Sequence, residues 1–600
     1  GDDDDDDNHI NDNNNNDVND MFGGVHDMIN DAQLDATLLF SGEPNNVAFL
    51  NNNNNNNNNS SGAASGKWEL QHANALLLLA QWMEETGEGE HNDIVTRYEA
   101  AVELAPEYER THFRAACYWD SLIVAHERRH LQYSLQYDSR AQTDKAGEQR
   151  LLFYVQTAIH HFGKALCHGS ESLHRALPRL LTLWLDKYGY FCGQSNRRLS
   201  RDQKSLLTSI QRDMNSFLCT IPLYFWYAGR TQVISRLCHP VAKLSQALTD
   251  LLTRILQQYP RRMAWALTAA LRSEDAHRRS RIEQIWSAAC TYSSAVNDTL
   301  VQTKRLAGKL IDLAAEKPKT DDQTVSLSKS SLACANGLLR AARAAKLVLI
   351  PTQAALAVQL PLGGAWYDDD HADAAPFGTG QDVCIAALSD KMNVYSSLQK
   401  PKRVEFTGTD GQRYFLLCKQ DDDLRKDERV QEFNTVINRL LRQDDEARRR
   451  NLYIRTYSVV PLNENTGVLE WIVGTVPLRS ALISEYLALG IWKHKKTSKE
   501  ALTLYNSGKS NRRAVFRRLL KKFPSVLHRW FLNTFADATD WLNARLTYTR
   551  SCAVVSMVGF VLGLGDRHSE NILLDTNTGL MLQIDLNCIF QKGESFQVPE

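Results

Sequence analysis

The stretch GLGDRHSENILLD, Gly563–Asp575, is the segment on which the interpretation of this chain turns. Apolar residues precede it in AVVSMVGFVLGL and follow it in ILL, so we expect a turn between two buried segments. Backbone geometry alone does not require several charged and hydrogen-bonding side chains within one short turn. Either the turn is a solvated polar loop, or it binds a ligand. The side chains in question are Asp566, Arg567, His568, Glu570 and Asn571.

This set of side chains suits phosphoryl transfer from ATP. That reaction needs cations on the phosphates, oxygen ligands for magnesium and a group that orients the attacking hydroxyl. Magnesium takes hard oxygen donors and keeps some waters, so one carboxylate and one amide suffice. Asn571 offers the amide, and Asp585 in the apolar strand segment LQIDLN offers the carboxylate. We predict a strand–turn–strand hairpin in which these two residues hold the metal.

Two further residues of the turn are candidate catalytic groups. Asp566 would orient the substrate hydroxyl or accept its proton, and His568 would stabilise charge on the transferred phosphoryl group. Asn571 would act with them as a catalytic residue through its metal contact.

The composition limits the classes of protein to which the chain can belong. The chain has 600 residues, 43% of them hydrophobic, which indicates several domains with ordinary cores. Its formal net charge of -1 indicates no global electrostatic preference for nucleic acid or membrane. No apolar run reaches the roughly 18–20 residues that cross a bilayer. Eleven cysteines without a C-x-x-C pair fit reduced thiols in the cytosol or nucleus.

The N-terminal two thirds of the sequence read as low complexity followed by helix. Residues 1–66 contain an aspartate run and then asparagine runs, which we predict to be disordered. From Lys67 apolar residues recur at helical spacing, with a break at Pro106 that is typical of tetratricopeptide-like helix pairs. We expect helix to continue to about Leu347 and then a linker. The tryptophans predicted to lie in the core are Trp82, Trp119, Trp184 and Trp265.

After Val383 the pattern changes to strands. KRVEFTGTDGQRYFLLCK alternates around Asp410–Gly411, which predicts a hairpin, and YIRTYSVVPL with GVLEWIVG predicts a second strand pair. Helices return from about Leu478 to Val561. Between the strand pairs lies a helix, VQEFNTVINRLL, whose apolar face is predicted to be Val430, Phe433, Ile437 and Leu440.

Ordinary protein kinases have the motif H-R-D-x-x-x-x-N followed by D-F-G. Here the first triplet is inverted to D-R-H, the later motif is Asp585-Leu586-Asn587, and no G-x-G-x-x-G precedes them. GLGDRHSENILLD…LQIDLNCIF, CKQDDDLRKDERVQEFN and HRWFLNTFADATDWLNARLTYTRS resemble the phosphatidylinositol-kinase-related protein kinases. The resemblance extends loosely back to about Lys67 and does not cover residues 1–66. Leu586 replaces the family's usual phenylalanine and can still pack there.

The resemblance implies a mainly α fold, in which a FAT-type helical solenoid, tetratricopeptide- or HEAT-like, precedes a bilobal α+β kinase fold truncated in its C-lobe. By the family's pattern the chain stops early in the activation segment, before the rest of the kinase lobe and a terminal FATC element, and a chain ending there could be inactive. The expected domains are 1–66 (disordered), 67–280 (FAT-type repeats), 281–380 (helical extension and linker) and 381–600 (catalytic domain, with the N-lobe at about 381–470 and an incomplete C-lobe at 471–600).

The same resemblance assigns residues to the ATP phosphates. Lys419, which ends the strand YFLLCK, matches the lysine on the phosphates, and Asp427 matches the carboxylate that positions it. Asp422 and Glu432 are weaker candidates for that carboxylate. The loop that replaces a glycine-rich loop corresponds to Ser396 and Ser397.

The adenine would bind farther along the chain. Trp471 matches the hinge aromatic that stacks on adenine, with backbone hydrogen bonds from Glu470 and Ile472. Tyr457 is expected at the inner wall of the adenine pocket. Arg567 is expected to be structural.

At the level of function, the resemblance implies a nuclear serine/threonine protein kinase of DNA-damage and replication-stress signalling that uses ATP with Mg²⁺ or Mn²⁺. It implies substrates with Gln after the Ser or Thr, an obligate partner subunit, indirect contact with DNA and no membrane association. Two alternatives stay open. A phosphoinositide lipid kinase shares the D-R-H-x-x-N chemistry, and the segment that reads the substrate would lie beyond Glu600; a catalytically inactive scaffold could keep the fold.

Overall fold

The computed structural model describes most of the chain from Gly62 onward. The described residues are 62–136, 145–193, 199–317, 324–329, 332–360, 376–378, 382–395, 399–493, 495–507, 512–590 and 592. Four predictions fall wholly or mainly outside them: the disordered N-terminal segment, the linker after Leu360, the Ser396 and Ser397 loop and the chain end after Lys592.

The first part of the chain is a stack of helices, as predicted. Its core contains large apolar side chains at helical spacing, among them Trp184, Trp226 and Trp265, each at most 1% exposed. The helices are α1 (Gly62–Thr86), α2 (His91–Leu104), α3 (Glu109–Gln136), α4 (Lys145–His168), α5 (Leu173–Thr182), α6 (Gly189–Gly193), α7 (Arg201–Thr220), α8 (Leu223–Ala228), α9 (Arg230–Ser235), α10 (Ala242–Gln258), α11 (Pro260–Leu267), α12 (Ala276–Cys290) and α13 (Ser294–Ala315).

Local sequence signals set several of these helix ends. Gly87, with φ of +68°, follows the last residue of α1. Ser200 and Gln203 form a capping box at the start of α7, where each side chain bonds the other's backbone N–H. Pro260 opens α11, the position where its missing N–H removes no helical bond.

Two expectations for the helical part are wrong. Trp82 is 53% exposed, and Leu78 and Leu79 beside it are also exposed, because the outer face of α1 packs against nothing in the described part of the chain. Helix is also interrupted before Leu347: a short strand, β1 (Thr324–Ser326), separates α13 from α14 (Ala335–Ala344). Three residues are too few for an alternating pattern to distinguish this strand from a helix end.

The strand-rich region forms an antiparallel sheet of six strands in the order β1-β2-β3-β4-β6-β5. Both predicted strand pairs form, and Gly411, with φ of +76°, turns the first hairpin. The remaining elements here are α15 (Gln353–Leu356), β2 (Ile385–Val394), β3 (Lys402–Gly408), β4 (Arg413–Gln420), α16 (Arg425–Gln443), α17 (Asp445–Arg449), β5 (Val459–Pro461) and β6 (Thr466–Glu470).

Helix α16 forms where predicted, but its most buried stripe is largely polar. Asp427, Gln431, Asn434 and Asn438 are buried together with Val430, whereas Phe433 and Ile437 are only half-buried. Apolar periodicity could not reveal this, because the buried stripe is stabilised by hydrogen bonds to other segments rather than by apolar packing.

The last part of the chain is helical and ends in the predicted hairpin. A strand before the helices pairs with the hairpin and makes a three-stranded sheet in the order β7-β8-β9. The elements are β7 (Thr475–Pro477), α18 (Leu478–Ala488), α19 (Lys495–Ser507), α20 (Arg512–Lys522), α21 (Leu527–Thr534), α22 (Ala538–Val561), β8 (Ile572–Asp575) and β9 (Met581–Gln583).

The helical part packs against the six-stranded sheet and is hydrogen-bonded to it. The buried Lys402 of β3 donates to the carbonyl of Ala314 at the end of α13, at 2.7 Å. The indole N–H of Trp265 donates to Leu349 O at 2.9 Å. Such contacts fix the sheet on the helices. None of the helices in the described ranges combines the length and apolarity needed to cross a membrane.

Candidate active site

The β8–β9 hairpin brings Asn571 and Asp585 to the same end of the small sheet. Ile572 pairs with Gln583, and the amide of Ile584 donates to Asn571 O at 3.0 Å. Asn571 therefore lies opposite Ile584, the residue directly before Asp585. The structure thus places together the two residues that the sequence nominates as metal ligands.

The turn before β8 is closed by its own polar side chains. Asn571 Nδ2 donates to the backbone carbonyl of Asp566 at 3.0 Å and to its carboxylate at 3.4 Å. His568 Nδ1 accepts the amide N–H of Glu570 at 3.2 Å, which assigns the ring proton to Nε2, and Nε2 lies 3.7 Å from Asp566 Oδ1. Asp566, His568 and Asn571 therefore form one cluster, and the carboxylate and imidazole are partly exposed.

Arg567 ties the turn to the second strand of the hairpin. Its guanidinium donates to Gly565 O at 2.8 Å, to Ile584 O at 2.9 Å and to the carbonyl of Asp585. All these acceptors are backbone carbonyls, which agrees with the structural role expected for this arginine.

Lys419 points to the hairpin mouth. Its ammonium lies 3.4 Å from Asp585 Oδ2 and 3.3 Å from Asp422 Oδ2. Burial alone would lower the pKa of Lys419, but the carboxylates of Asp585, Asp422 and Asp427 outweigh it and raise the pKa above its ordinary value. Lys419 is therefore held as a cation at this site.

Asp427 contacts the site through the backbone rather than through a direct ion pair. Its Oδ1 accepts the amide N–H of Leu586 at 2.7 Å, and its Oδ2 has no hydrogen-bond partner among the described residues. Burial raises the pKa of Asp427 to about 6, although the Leu586 bond and Lys419 oppose the shift. The direct partner of Lys419 on this side is Asp422.

Two of the side chains predicted to contact adenine, Tyr457 and Ile472, belong to one apolar cluster. Tyr457 is buried with Leu469, and Ile472 packs against them from the hinge. Burial raises the pKa of Tyr457, and its hydroxyl has no hydrogen-bond partner among the described residues. The surroundings of Tyr457, which the resemblance places beside adenine, are thus mostly apolar.

The hinge tryptophan already has an aromatic neighbour. Trp471 stacks on Tyr395 with 5.3 Å between ring centroids, and the Arg403 guanidinium lies 5.0 Å from its ring. The Glu470 carboxylate accepts the backbone amides of Gln353 and Ser458 at 2.7 and 3.0 Å. Only the backbone of Glu470 is left to face a ligand.

Sequence reasoning missed one member of the site. Asn587 Nδ2 donates to Asp422 Oδ1 at 3.0 Å and to Asp585 Oδ1 at 3.4 Å, so it bridges the two carboxylates that flank Lys419. The signal was present as the last letter of the Asp585-Leu586-Asn587 motif. Glu432, by contrast, lies at the boundary with the helical part, 3.6 Å from Arg230.

Strain is concentrated in this segment. Asp566 and Asp585 have φ of 57° and 61°, and Phe590 just beyond has 54°. Left-handed backbone costs residues other than glycine about 1–2 kcal/mol each. Buried Leu586 sits between these positions and packs against Val430 and Leu562, so the leucine fills the place of the family's phenylalanine.

The donor set fits a nucleotide with a divalent ion. Because Asn571 Nδ2 is bonded to Asp566, the amide oxygen is the group left for a metal, and Asp585 adds a carboxylate. No group of three or more His, Cys, Asp or Glu side chains within the described ranges could hold a metal by itself. An ion here would take its other ligands from phosphate oxygens and water.

Three family models match the chain. Residues 413–600 match phosphatidylinositol 3- and 4-kinase, residues 16–182 match the FAT domain, and residues 209–307 match the HEAT repeats of ATR-like serine/threonine-protein kinases. The chain is similar to ATR-type serine/threonine-protein kinases. The predicted resemblance to the phosphatidylinositol-kinase-related family is thereby confirmed.

Full-length relatives support the same resemblance. The serine/threonine-protein kinase ATR of Oryza sativa subsp. indica is 35% identical over 546 residues, which cover 88% of this chain and 20% of the relative. Protein kinase rad3 of Schizosaccharomyces pombe is 34% identical, covering 87% and 22%. The chain therefore spans about a fifth of the length of the curated relatives it matches.

Solved structures share the fold. The open conformation of CtTel1 superposes with a TM-score of 0.71 at 22% identity, covering 88% of this chain and 20% of that one. The FAT and kinase domain of CtTel1 gives a TM-score of 0.71 at 23% identity, covering 88% and 37%. The predicted order of helical solenoid and α+β kinase fold is confirmed.

Proposed function

We propose that this chain is the FAT and kinase portion of an ATR-type serine/threonine protein kinase that transfers the γ-phosphate of ATP to protein. The observation that supports it most is the position of Lys419, 3.4 Å from Asp585, at the mouth of the hairpin that also holds Asn571. Cation, carboxylate and amide are the groups that phosphoryl transfer requires.

Each side chain then has a role that its contacts support. Lys419 binds the phosphates, and Asp422, Asp427 and Asn587 keep its ammonium and the Asp585 carboxylate in place. Asn571 and Asp585 would hold Mg²⁺ or Mn²⁺, which supplies positive charge to the phosphates when bound.

The reacting hydroxyl would bind beside Asp566. This carboxylate is partly exposed and has His568 Nε2 at 3.7 Å, so it can orient the hydroxyl and accept its proton while the imidazole faces the transferred group. The bond from Asn571 to the Asp566 backbone fixes the spacing between the proton acceptor and the metal ligand.

For the nucleotide base, we propose the pocket of Tyr457, Ile472 and Trp471, with backbone hydrogen bonds from Glu470 and Ile472. Tyr395 stacks on Trp471 and adds a second ring to this group. Ser396 and Ser397 follow Tyr395 directly in the sequence, which is consistent with a phosphate-facing loop at that point.

The wider biology is proposed from the ATR-type resemblance. It comprises substrates with Gln after the Ser or Thr, an ATRIP-like obligate partner, indirect DNA contact, a nuclear location without membrane association, and DNA-damage and replication-stress signalling. With it we keep the division into residues 1–66, 67–280, 281–380 and 381–600.

The test is a phosphotransfer assay on the full-length protein containing this chain. Radiolabelled ATP would be offered with a Ser-Gln peptide, a Ser-Ala peptide and phosphatidylinositol vesicles, using wild type, Asp585→Asn and Glu570→Gln. We expect transfer to the Ser-Gln peptide, a loss of about 10³-fold or more in Asp585→Asn, and wild-type rates in Glu570→Gln, whose side chain is largely exposed.

Three other outcomes would contradict the proposal in whole or in part. Transfer to the vesicles but not to peptides would make the protein a lipid kinase. Equal residual activity in wild type and Asp585→Asn would make it an inactive scaffold. Equal rates on both peptides would retain the kinase and remove the Gln preference.

A further inference from the structure

Helix α16 has two polar stripes that lie side by side on its surface and face different parts of the molecule. One stripe faces the candidate active site: Asp427 accepts the Leu586 amide at 2.7 Å, and Asn438 exchanges two hydrogen bonds of 2.7 Å with the backbone of Ile454. Gln431, between them on the helix, accepts from the amide of Tyr457 at 3.4 Å. Any movement of α16 therefore moves groups attached to the site.

The other stripe faces the helical part. Arg230 Nη2 lies 3.6 Å from Glu432 Oε1 and 3.9 Å from Glu428 Oε1, and the hydroxyl of Thr231 donates to Glu432 Oε2 at 3.0 Å. These four residues, Arg230, Thr231, Glu428 and Glu432, are called the clamp below. Farther along α16, Arg439 donates to Ser170 O at 2.8 Å.

The Arg230 side chain is rigidly supported on the helical side. Its guanidinium stacks over the ring of Tyr227 at 4.7 Å and is 15% exposed. The Tyr227 hydroxyl in turn donates to Leu356 O at 3.1 Å. A guanidinium held between a ring and two carboxylates loses little further conformational freedom when it pairs. A fixed Arg230 therefore fixes the position of the two glutamates on α16.

Apolar packing does not fix α16 against the helices next to the clamp. A cavity of about 420 Å³ lies there, so the polar contacts of the clamp set the spacing. Its walls include Leu177, Gly229, Gln353, Val358, Phe433 and Val436.

We propose that Arg230 is a positioning residue for catalysis, which holds α16 through Glu432 and thereby sets the place of Asp427 and the segment it binds. The inference rests on the proposed kinase function. The connection runs from Arg230 to Glu432, along α16 to Asp427, and through the Leu586 amide to the neighbouring Asp585.

Removing Arg230 leaves Glu428 and Glu432 four residues apart on one partly buried helix face, where Glu432 keeps Arg429 of the same helix at 3.1 Å and the Thr231 hydroxyl at 3.0 Å. Two carboxylates at this spacing repel when both are ionised, and the helix loses the guanidinium that joins it to the helical part. The helix would then move toward solvent or into the cavity, and the geometry at Asp427 would change with it.

The experiment uses the full-length protein and compares Arg230→Gln with Arg262→Gln. Arg262 is a matched control: it is an equally buried arginine at the same boundary, stacked on Phe377 at 4.0 Å, but it pairs with Asp382 near β2 rather than with α16. We expect Arg230→Gln to lower kcat about tenfold or more with KM for peptide unchanged. Arg262→Gln should retain kcat within about threefold.

A charge swap tests the mechanism directly. Arg230→Glu alone should lose at least as much kcat as Arg230→Gln. The double variant Arg230→Glu/Glu432→Arg should recover most of that loss, because the new arginine faces both the new glutamate and Glu428. A merely structural defect would not be rescued in this way.

Hydrogen exchange of the α16 amides gives a readout without catalysis. Faster exchange across α16 is expected in Arg230→Gln but not in Arg262→Gln, even if the wild type transfers no phosphate. The exchange experiment therefore tests the positioning role of Arg230 independently of the proposed kinase function. Wild-type exchange and wild-type kcat in Arg230→Gln, or equal losses in both variants without rescue by the swap, would overturn the proposal.

Discussion

The helical core and the segment from Gly563 to Phe590 hold their side chains in place by opposite means. In the helical core, Trp184 on a π-helical turn and Trp226 on α8 are fully buried among apolar side chains. In the segment, three residues other than glycine adopt positive φ, and acidic and basic side chains lie within 4 Å of one another.

The difference separates stability from activity. Apolar burial stabilises the fold and tolerates few changes of volume. A strained, charged turn costs free energy in folding, and such arrangements persist where the surrounding structure enforces them for function. Substitutions in the two regions should therefore affect different measurements.

The largest effect is expected for Asp566→Asn. Asparagine tolerates left-handed backbone and can still accept the Asn571 bond, so the melting temperature should stay near that of wild type. It cannot accept the substrate proton, so kcat should fall about 10³-fold or more. A large loss of melting temperature in this variant would show that the turn is structural after all.

Trp226→Ala is the converse variant. It should lower the free energy of unfolding by about 3–5 kcal/mol through the cavity it leaves in the helical core. Denaturant unfolding of the protein measures this, and Trp82→Ala is the control because its side chain is 53% exposed. Equal destabilisation by both variants would remove the contrast.

Stability should also depend on pH through Glu428. Burial, and then the charge of Glu432, raise the pKa of Glu428 to about 7, while Arg230 opposes the shift. Arg429 and the wall residue His174 are the other titratable groups nearby, and burial lowers the pKa of His174 to about 4, so its ring is neutral.

The sign follows from proton binding. Between about pH 4.5 and 7 the folded state holds the Glu428 proton more tightly than the unfolded state, so stability falls as pH rises through this window, by at most about 3 kcal/mol. Glu428→Gln should reduce that slope in thermal unfolding and leave the part that the raised pKa of Asp427 contributes, whereas the exposed Glu99→Gln should keep the wild-type slope. If the dependence of stability on pH is unchanged in Glu428→Gln, the raised pKa of Glu428 is contradicted.

The smallest effect is expected at a helix cap in the scaffold. Ser200→Ala removes one half of the capping box of α7 and should cost about 1 kcal/mol of stability. Ser205→Ala, at an exposed position inside the same helix, should cost nothing measurable. Kinase activity should be unaffected by either, which keeps the scaffold effects apart from the catalytic ones.

Much of the fold was predictable because it depends on local patterns. Helical periodicity, the Asp410–Gly411 turn and the D-R-H and D-L-N motifs gave the element order. The exposed Trp82 and strand β1 were not predictable, because both depend on which neighbour, if any, packs against them.

The site was predictable only through residues with a motif. Asn571 and Asp585 met at the hairpin because strand pairing follows from a short turn. The ion pair of Lys419 with Asp422, the bridge through Asn587 and the polar stripe of α16 depend on tertiary hydrogen bonds, which leave no periodic signal in the sequence.

The most direct test of the account is the binding of Mn²⁺ with ATP to the full-length protein, followed by electron paramagnetic resonance. If Asn571 and Asp585 hold the ion, Asp585→Asn and Asn571→Ala should each weaken binding about 30-fold or more, while Glu570→Gln in the same turn binds as wild type. Wild-type Mn²⁺ affinity in Asp585→Asn would contradict the central claim.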